Sequence, residues 1–230
     1  MSQDAAVAVG AVNATADRFL DALIIAFQSE DGRTGYAEDL RLAAGICSAT
    51  WGEEQLWSGL VNVQCGERMR TRLMYAARAG NVARVLWLLA RGAQTELKDE
   101  RGWTALVWAA FSGHDEVVQA LVAAGADVHA RAGATSITPV YASCWRGHVD
   151  VLRTLIAAGA NIGSTTSKNE ATPIYIGSQE GHTEIVRTLI EAGADVNAAL
   201  ADGRRPLSSI SAVRRFKSEI ASLLVEAGAR

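Results

Sequence analysis

The sequence predicts an all-α solenoid: a row of helix-turn-helix units with protruding loops, preceded by a small helical N-terminal segment. Glycine-alanine pairs return at Gly92, Gly125, Gly159, Gly193 and Gly228, with spacings of 33, 34, 34 and 35 residues. A second glycine keeps the same interval at Gly80, Gly113, Gly147 and Gly181, followed by Asn81, His114, His148 and His182. Threonine does the same at Thr71, Thr104, Thr138 and Thr172, with Arg205 in the fifth place. Self-similarity at such a period means a stack of like supersecondary units, each unable to bury its apolar face alone.

In chain order, residues 1–65 carry no echo of the repeat. "DRFLDALIIAF" and "AEDLRLAAGIC" place apolar residues at helical spacing and are separated by the turn-like "QSEDGRTG". "GEEQLWSGLVNV" gives a third helix, and the three together would cap the apolar face of the first repeat. From residue 66 the repeats run at about 67–98, 99–131, 132–166, 167–199 and 200–230. In each, threonine caps a short helix, and Pro139 and Pro173 take the first helical position, where a missing N–H costs nothing. The mid-repeat glycine ends that helix in a left-handed conformation. Asp115 and Glu116, Asp150 and Glu184 open the second helix, matched to its positive N-terminal end. Then "VVQALVAAG", "VLRTLIAAG" and "IVRTLIEAG" run with helical apolar spacing to the next glycine. A finger-like loop of about ten residues leads to the next threonine. The fingers before repeats three and four are one residue longer and lack the Asp-x-x-Gly turn of "KDERGW", which predicts looser loops.

"GWTALVWAAFSGHDEVVQALVAAGADVHA" and "EATPIYIGSQEGHTEIVRTLIEAGADVNA" closely resemble ankyrin repeats, with their T-P-L-H-x-A-A, G-H and G-A-D-V-N pattern. The first repeat departs from it with "TRLMYAARAGN". The fifth has Arg204-Arg205-Pro206, no mid-turn glycine, and 22 residues from Pro206 to Gly228 against 20 from Pro173 to Gly193. An atypical last repeat is what an end unit requires. The resemblance implies a non-catalytic scaffold that binds another protein in a groove of finger tips and first helices. In the ankyrin pattern the residue before the threonine sits on the finger, and the seventh and eighth after it face the groove. These places hold Trp103, Phe111 and Ser112 in repeat two, and Ile137, Trp145 and Arg146 in repeat three. Repeat one adds Arg78, and repeat four has the polar pair Gln179 and Glu180. Trp108, four after its threonine, belongs to the core with Tyr75 and Ile176. The expectation is one exposed patch of Trp103, Phe111 and Trp145 flanked by Arg78, Arg101 and Arg146. Trp and Arg are the residues enriched at binding hot spots.

Two further readings concern the N-terminal third. "AEDLRLAAGICSATWGEEQLWSGLV" resembles the second half of an F-box, with Leu40, Cys47, Trp51, Leu56, Trp57 and Leu60 as framework, though the opening Leu-Pro is missing. That resemblance, over residues 17–61, implies a substrate adaptor of a cullin ubiquitin ligase; a permanent subunit of a large assembly is another possible role. On the outer face of the second helices, Gln119/Ala120, Arg153/Thr154 and Arg187/Thr188 give way in repeat one to Leu86 and Trp87. An apolar pair there predicts a docked cover, with the N-terminal helices the nearest candidate.

Charge and motifs narrow the remaining classes. Net charge is −3 with both signs interspersed and no Lys/Arg cluster, which argues against nucleic acid. The three cysteines include no CxxC pair and form no disulfide framework, as in a reducing compartment. The acidic, signal-free N-terminus points to cytoplasm or nucleus, and runs such as "ALIIAF" are too short for membrane insertion. No phosphate-loop, dinucleotide, zincin or nucleophile-elbow motif occurs, so no catalytic residue, cofactor or small-molecule substrate is expected. His114, His148 and His182 are not a metal set, because equivalent places in adjacent repeats lie ~8–10 Å apart. They should instead fix the turn by hydrogen bonding. Cys144 stands at a small core position and should be buried.

Overall fold

A computed structural model describes residues 61–64, 68–210 and 217–230 of the chain. The first helices of successive repeats are α1 (Arg72–Arg78), α3 (Ala105–Ser112), α5 (Pro139–Arg146), α7 (Pro173–Glu180) and the short α9 (Pro206–Ser209). The second helices are α2 (Val82–Leu89), α4 (Asp115–Ala123), α6 (Val149–Ala157), α8 (Thr183–Glu191) and α10 (Lys217–Glu226). Each first helix packs on the next first helix and each second on the next second, giving two layers with no strands among the described residues.

The repeat markers act as the chemistry predicts. Thr71, Thr104, Thr138 and Thr172 have extended backbones, and each hydroxyl oxygen accepts from the N–H three residues on. Gly113, Gly147 and Gly181 end α3, α5 and α7 with φ of 82°, 77° and 83°. The histidines do more than fix a turn. Nε2 of His114, His148 and His182 lies 3.0, 3.1 and 3.2 Å from the carbonyls of Arg78, Phe111 and Trp145. A carbonyl only accepts, so Nε2 carries the hydrogen in each ring, and each histidine ties its repeat to the one before. The imidazole fills the space over the preceding glycine, where a Cβ on Gly80, Gly113 or Gly147 would come within 2.6–2.7 Å of the ring. Leu106, Leu121, Leu152, Leu155, Ile174, Ile185 and Leu189 fill one core running through the stack, with Cys144 fully buried among them.

The fingers share one backbone turn despite their different sequences. The residue two before each cap is left-handed: Met69 (φ 49°), Gly102 (74°), Ser136 (54°), Glu170 (54°) and Gly203 (82°). The longer fingers close without an aspartate. Ala132 and Ile137 exchange two backbone bonds of 2.8 and 3.0 Å, and Thr166 Oγ1 accepts from Ala171 N at 3.1 Å. Neighbouring fingers are also joined, by Glu100 N to Arg68 O, Ser167 N to Thr135 O and Ala201 N to Asn169 O.

The end of the third expected N-terminal helix is a finger instead. Residues 61–64 are not helical, Val61 is buried, and Asn62 donates to Gly92 O while accepting from Gln94 N. Asn197 makes the same pair with Gly228 O and Arg230 N. Val61 and Asn62 thus hold the places of Val196 and Asn197, and the stack begins before its first recognisable repeat. The rest of the N-terminal expectations, the F-box-like framework included, lies outside the described residues.

Candidate protein-binding face

The face begins with a clasp in finger two. Asp99 Oδ1 accepts from the N–H groups of Arg101 and Trp103 at 2.9 and 2.8 Å. Oδ2 accepts from Trp108 Nε1 at 3.0 Å and from Arg70 Nε at 3.4 Å. Arg70 and Asp99 form an ion pair with both side chains buried. Four donors therefore satisfy one buried carboxylate, the condition under which such a charge is tolerable.

This clasp corrects the placement of Trp103. It was expected on the exposed patch, yet it is 7% exposed and belongs to the core. Asp99 draws the Trp103 backbone inward, and the indole packs 4.5 Å from Trp108 and 5.2 Å from Phe111. The other fingers that lead to a threonine show the same direction, with Arg70 and Ala171 buried at this place and Ile137 half-buried, whereas Arg204 of the fifth finger is exposed. The residue before the threonine faces into the hairpin, not out from it. Tyr75 departs the other way, at 48% exposed where Trp108 and Ile176 are buried. Trp108 is covered by Arg70 and Arg78 of the preceding repeat, their guanidinium carbons 4.2 and 5.2 Å from its ring. The residues that would hold that place before α1 lie outside the described ones.

What remains open to solvent is narrower than the sequence implied. Trp145 is 38% exposed, Phe111, Ser112 and Ile137 are half-buried, and Arg78, Arg101 and Arg146 are exposed. The aromatic rings run on without a break: Phe111 meets Trp108 at 6.3 Å and Trp145 at 5.7 Å, both edge to face. Arg146 lies over Phe111 at 5.1 Å. Trp108, Trp103, Phe111 and Trp145 thus join repeats two and three in one ladder, buried at one end and exposed at the other. The histidine ties hold the backbone under it, since the Arg78, Phe111 and Trp145 carbonyls are the three acceptors.

Three titratable groups nearby are shifted toward their neutral forms. Burial pushes the Cys144 thiol up, out of thiolate chemistry. Burial, helped by the charge of Glu180, raises the Tyr141 phenol to about 12. Burial lowers His148 below its usual value, with the Arg146 charge adding to the shift. Among the described residues, no group of three or more His, Cys, Asp or Glu side chains could hold a metal. Nor is any described helix long and apolar enough to cross a membrane.

On the opposite face, Leu86 and Trp87 are 52% and 37% exposed on α2, with Arg91 stacked 3.9 Å from the Trp87 ring. The helices expected to dock there lie outside the described residues.

A repeated pair of helices, capped by threonine and tied by histidine, defines a repeat protein of the ankyrin class. The family model for ankyrin repeats (3 copies) matches residues 52–132 and 140–230, and the chain belongs to that family. Its match begins at residue 52, so Leu56, Trp57 and Leu60 fall inside it. Over 55 residues, 24% of its length, the chain is 54% identical to the mitochondrial disaggregase of Bos taurus. It is 51% identical over 55 residues to the human protein of that name. The matched stretch spans 8% of each of those relatives.

Proposed function

We propose that this chain is a non-catalytic scaffold that holds a segment of another protein against the first helices of repeats one to three. The observation that carries this reading is the unbroken ladder from buried Trp103 and Trp108 through Phe111 to exposed Trp145. Deeply anchored rings make the outer ones rigid, so a partner that covers Trp145 and Phe111 orders little on the scaffold side. Arg78, Arg101 and Arg146 form a polar rim around them, the arrangement of a hot spot. The likeness to the disaggregases is short, and it supports a shared repeat architecture more than a shared activity.

The test is a selection from a phage-displayed library of random 16-residue peptides on the full chain. A parallel selection uses Trp145→Ala, a change at an exposed side chain that leaves the core intact. Peptides that bind the native chain and are lost on Trp145→Ala bear the reading out. Selected peptides that bind both alike, or a library from which none is retained, refute it.

A further inference from the structure

We infer that the segment held on this face is acidic: it sets carboxylates against Arg78 and Arg146 and an apolar side chain against Trp145. This rests on the reading of the face as a protein-binding surface and adds the chemistry of what binds there. The first support is unspent charge. Arg70, Arg153, Arg187 and Arg204 each meet a carboxylate, whereas the exposed Arg78, Arg101 and Arg146 have no ion-pair partner among the described residues. Arg101 has Glu100 beside it in sequence, likewise exposed, so Arg78 and Arg146 are the net charges of the face.

The second support is their placement. Arg78 stacks 5.2 Å from Trp108 and Arg146 5.1 Å from Phe111, on two successive rings of the ladder. A guanidinium lying on a ring is held in place while its edge N–H groups stay free, ready for a bidentate bond to a carboxylate. The third support excludes the opposite sign. A cationic partner side chain would seek the ring faces of Trp108 and Phe111, but arginines of this chain already cover them, and it would meet like charge there. Among the described first helices the acidic side chain comes at repeat four, where Glu180 is exposed. That fixes the length of the acidic stretch: it ends by α7.

The same peptide library decides the matter, read for composition and then for charge. Peptides dependent on Trp145 should be enriched in Asp and Glu beside an aromatic or aliphatic residue. One such synthetic peptide should bind Arg78→Glu/Arg146→Glu about tenfold or more weaker, by fluorescence anisotropy. Its affinity should also fall steeply between low and high salt. Circular dichroism confirms that the variant is folded, and Arg78→Gln/Arg146→Gln, which adds no repulsion, should show a smaller loss of the same sign. Peptides that need Trp145 yet show no acidic bias, or bind the Glu and Gln variants undiminished, overturn the inference while the scaffold reading stands. Absence of any Trp145-dependent peptide removes both.

Discussion

Repeats two and three differ from repeat four on the first helix and at the finger base. All three have a threonine cap, a left-handed glycine, a histidine tie and three buried aliphatic residues at the same places on the second helix. On the first helix, repeats two and three present Trp108, Phe111, Trp145 and Arg146, where repeat four presents Ile176, Gln179 and Glu180. Their finger bases differ too: Asp99 in the finger before Thr104 takes four donors, while Thr166 in the finger before Thr172 caps one amide and Ala132 in the finger before Thr138 takes none with its side chain. The contrast separates what builds the stack from what is added to it. Markers that recur set the fold, and residues that break the pattern set the surface.

The finger bases give the largest expected effect. Asp99→Ala strands the buried Arg70 guanidinium and the Trp108 indole N–H, and should cost about 3–5 kcal/mol in a denaturant melt. Tryptophan emission should shift to longer wavelength as Trp103 is freed. Thr166→Val, at the same place in the finger that leads to repeat four, should cost about 1–2 kcal/mol, the loss of one buried hydrogen bond. Equal costs would mean that the clasp is not special to repeat two.

The finger turns sharpen the comparison at a smaller scale. Gly102 has φ 74°, and a Cβ there would lie 2.5 Å from Gly133 N in the next finger. Gly102→Ala should therefore destabilise by about 1–3 kcal/mol. Glu170 holds the corresponding left-handed turn with a side chain, at φ 54°. Glu170→Gly should relieve that strain and raise stability by up to about 1 kcal/mol. Thermal melts of the two variants should move in opposite directions.

The fold was legible because its signals are local and repeated. A threonine three residues before an amide it caps, or a glycine at a left-handed helix end, works the same way in every unit. The site was legible only where it shared that periodicity. Phe111 and Trp145 stand at equivalent places on α3 and α5, and both reach the face. Trp103 was misplaced because the residue before the threonine turns into the hairpin in each of the first four fingers, with or without an aspartate, and that direction belongs to the folded turn and not to any one residue type. Nothing in the spelling of "KDERGW" says that its aspartate accepts from four donors. The role of Asn62 was hidden for a similar reason: its likeness to Asn197 lies in two cross-repeat bonds, while the residues before it lack the repeat markers.

The smallest effect is one of pH. Burial lowers the His148 pKa, so the folded chain binds its proton less readily than the unfolded chain does. The stability from the neutral ring is complete above the unfolded value of about 6.5 and falls as pH drops from there through the folded value. Native His148 should thus show a decline in melting temperature below about pH 6.5 that His148→Gln does not share. A decline of the same size in both would place the titration elsewhere.

The central claim is that partner contact falls on the first helices of repeats one to three and stops short of repeat four. A photoreactive benzoylphenylalanine placed at position 145, and separately at 179, tests it in the full chain within intact cells. The account predicts a covalent adduct with a partner protein from position 145 and none from 179. Adducts from 179 alone, from both positions alike, or from neither would contradict it.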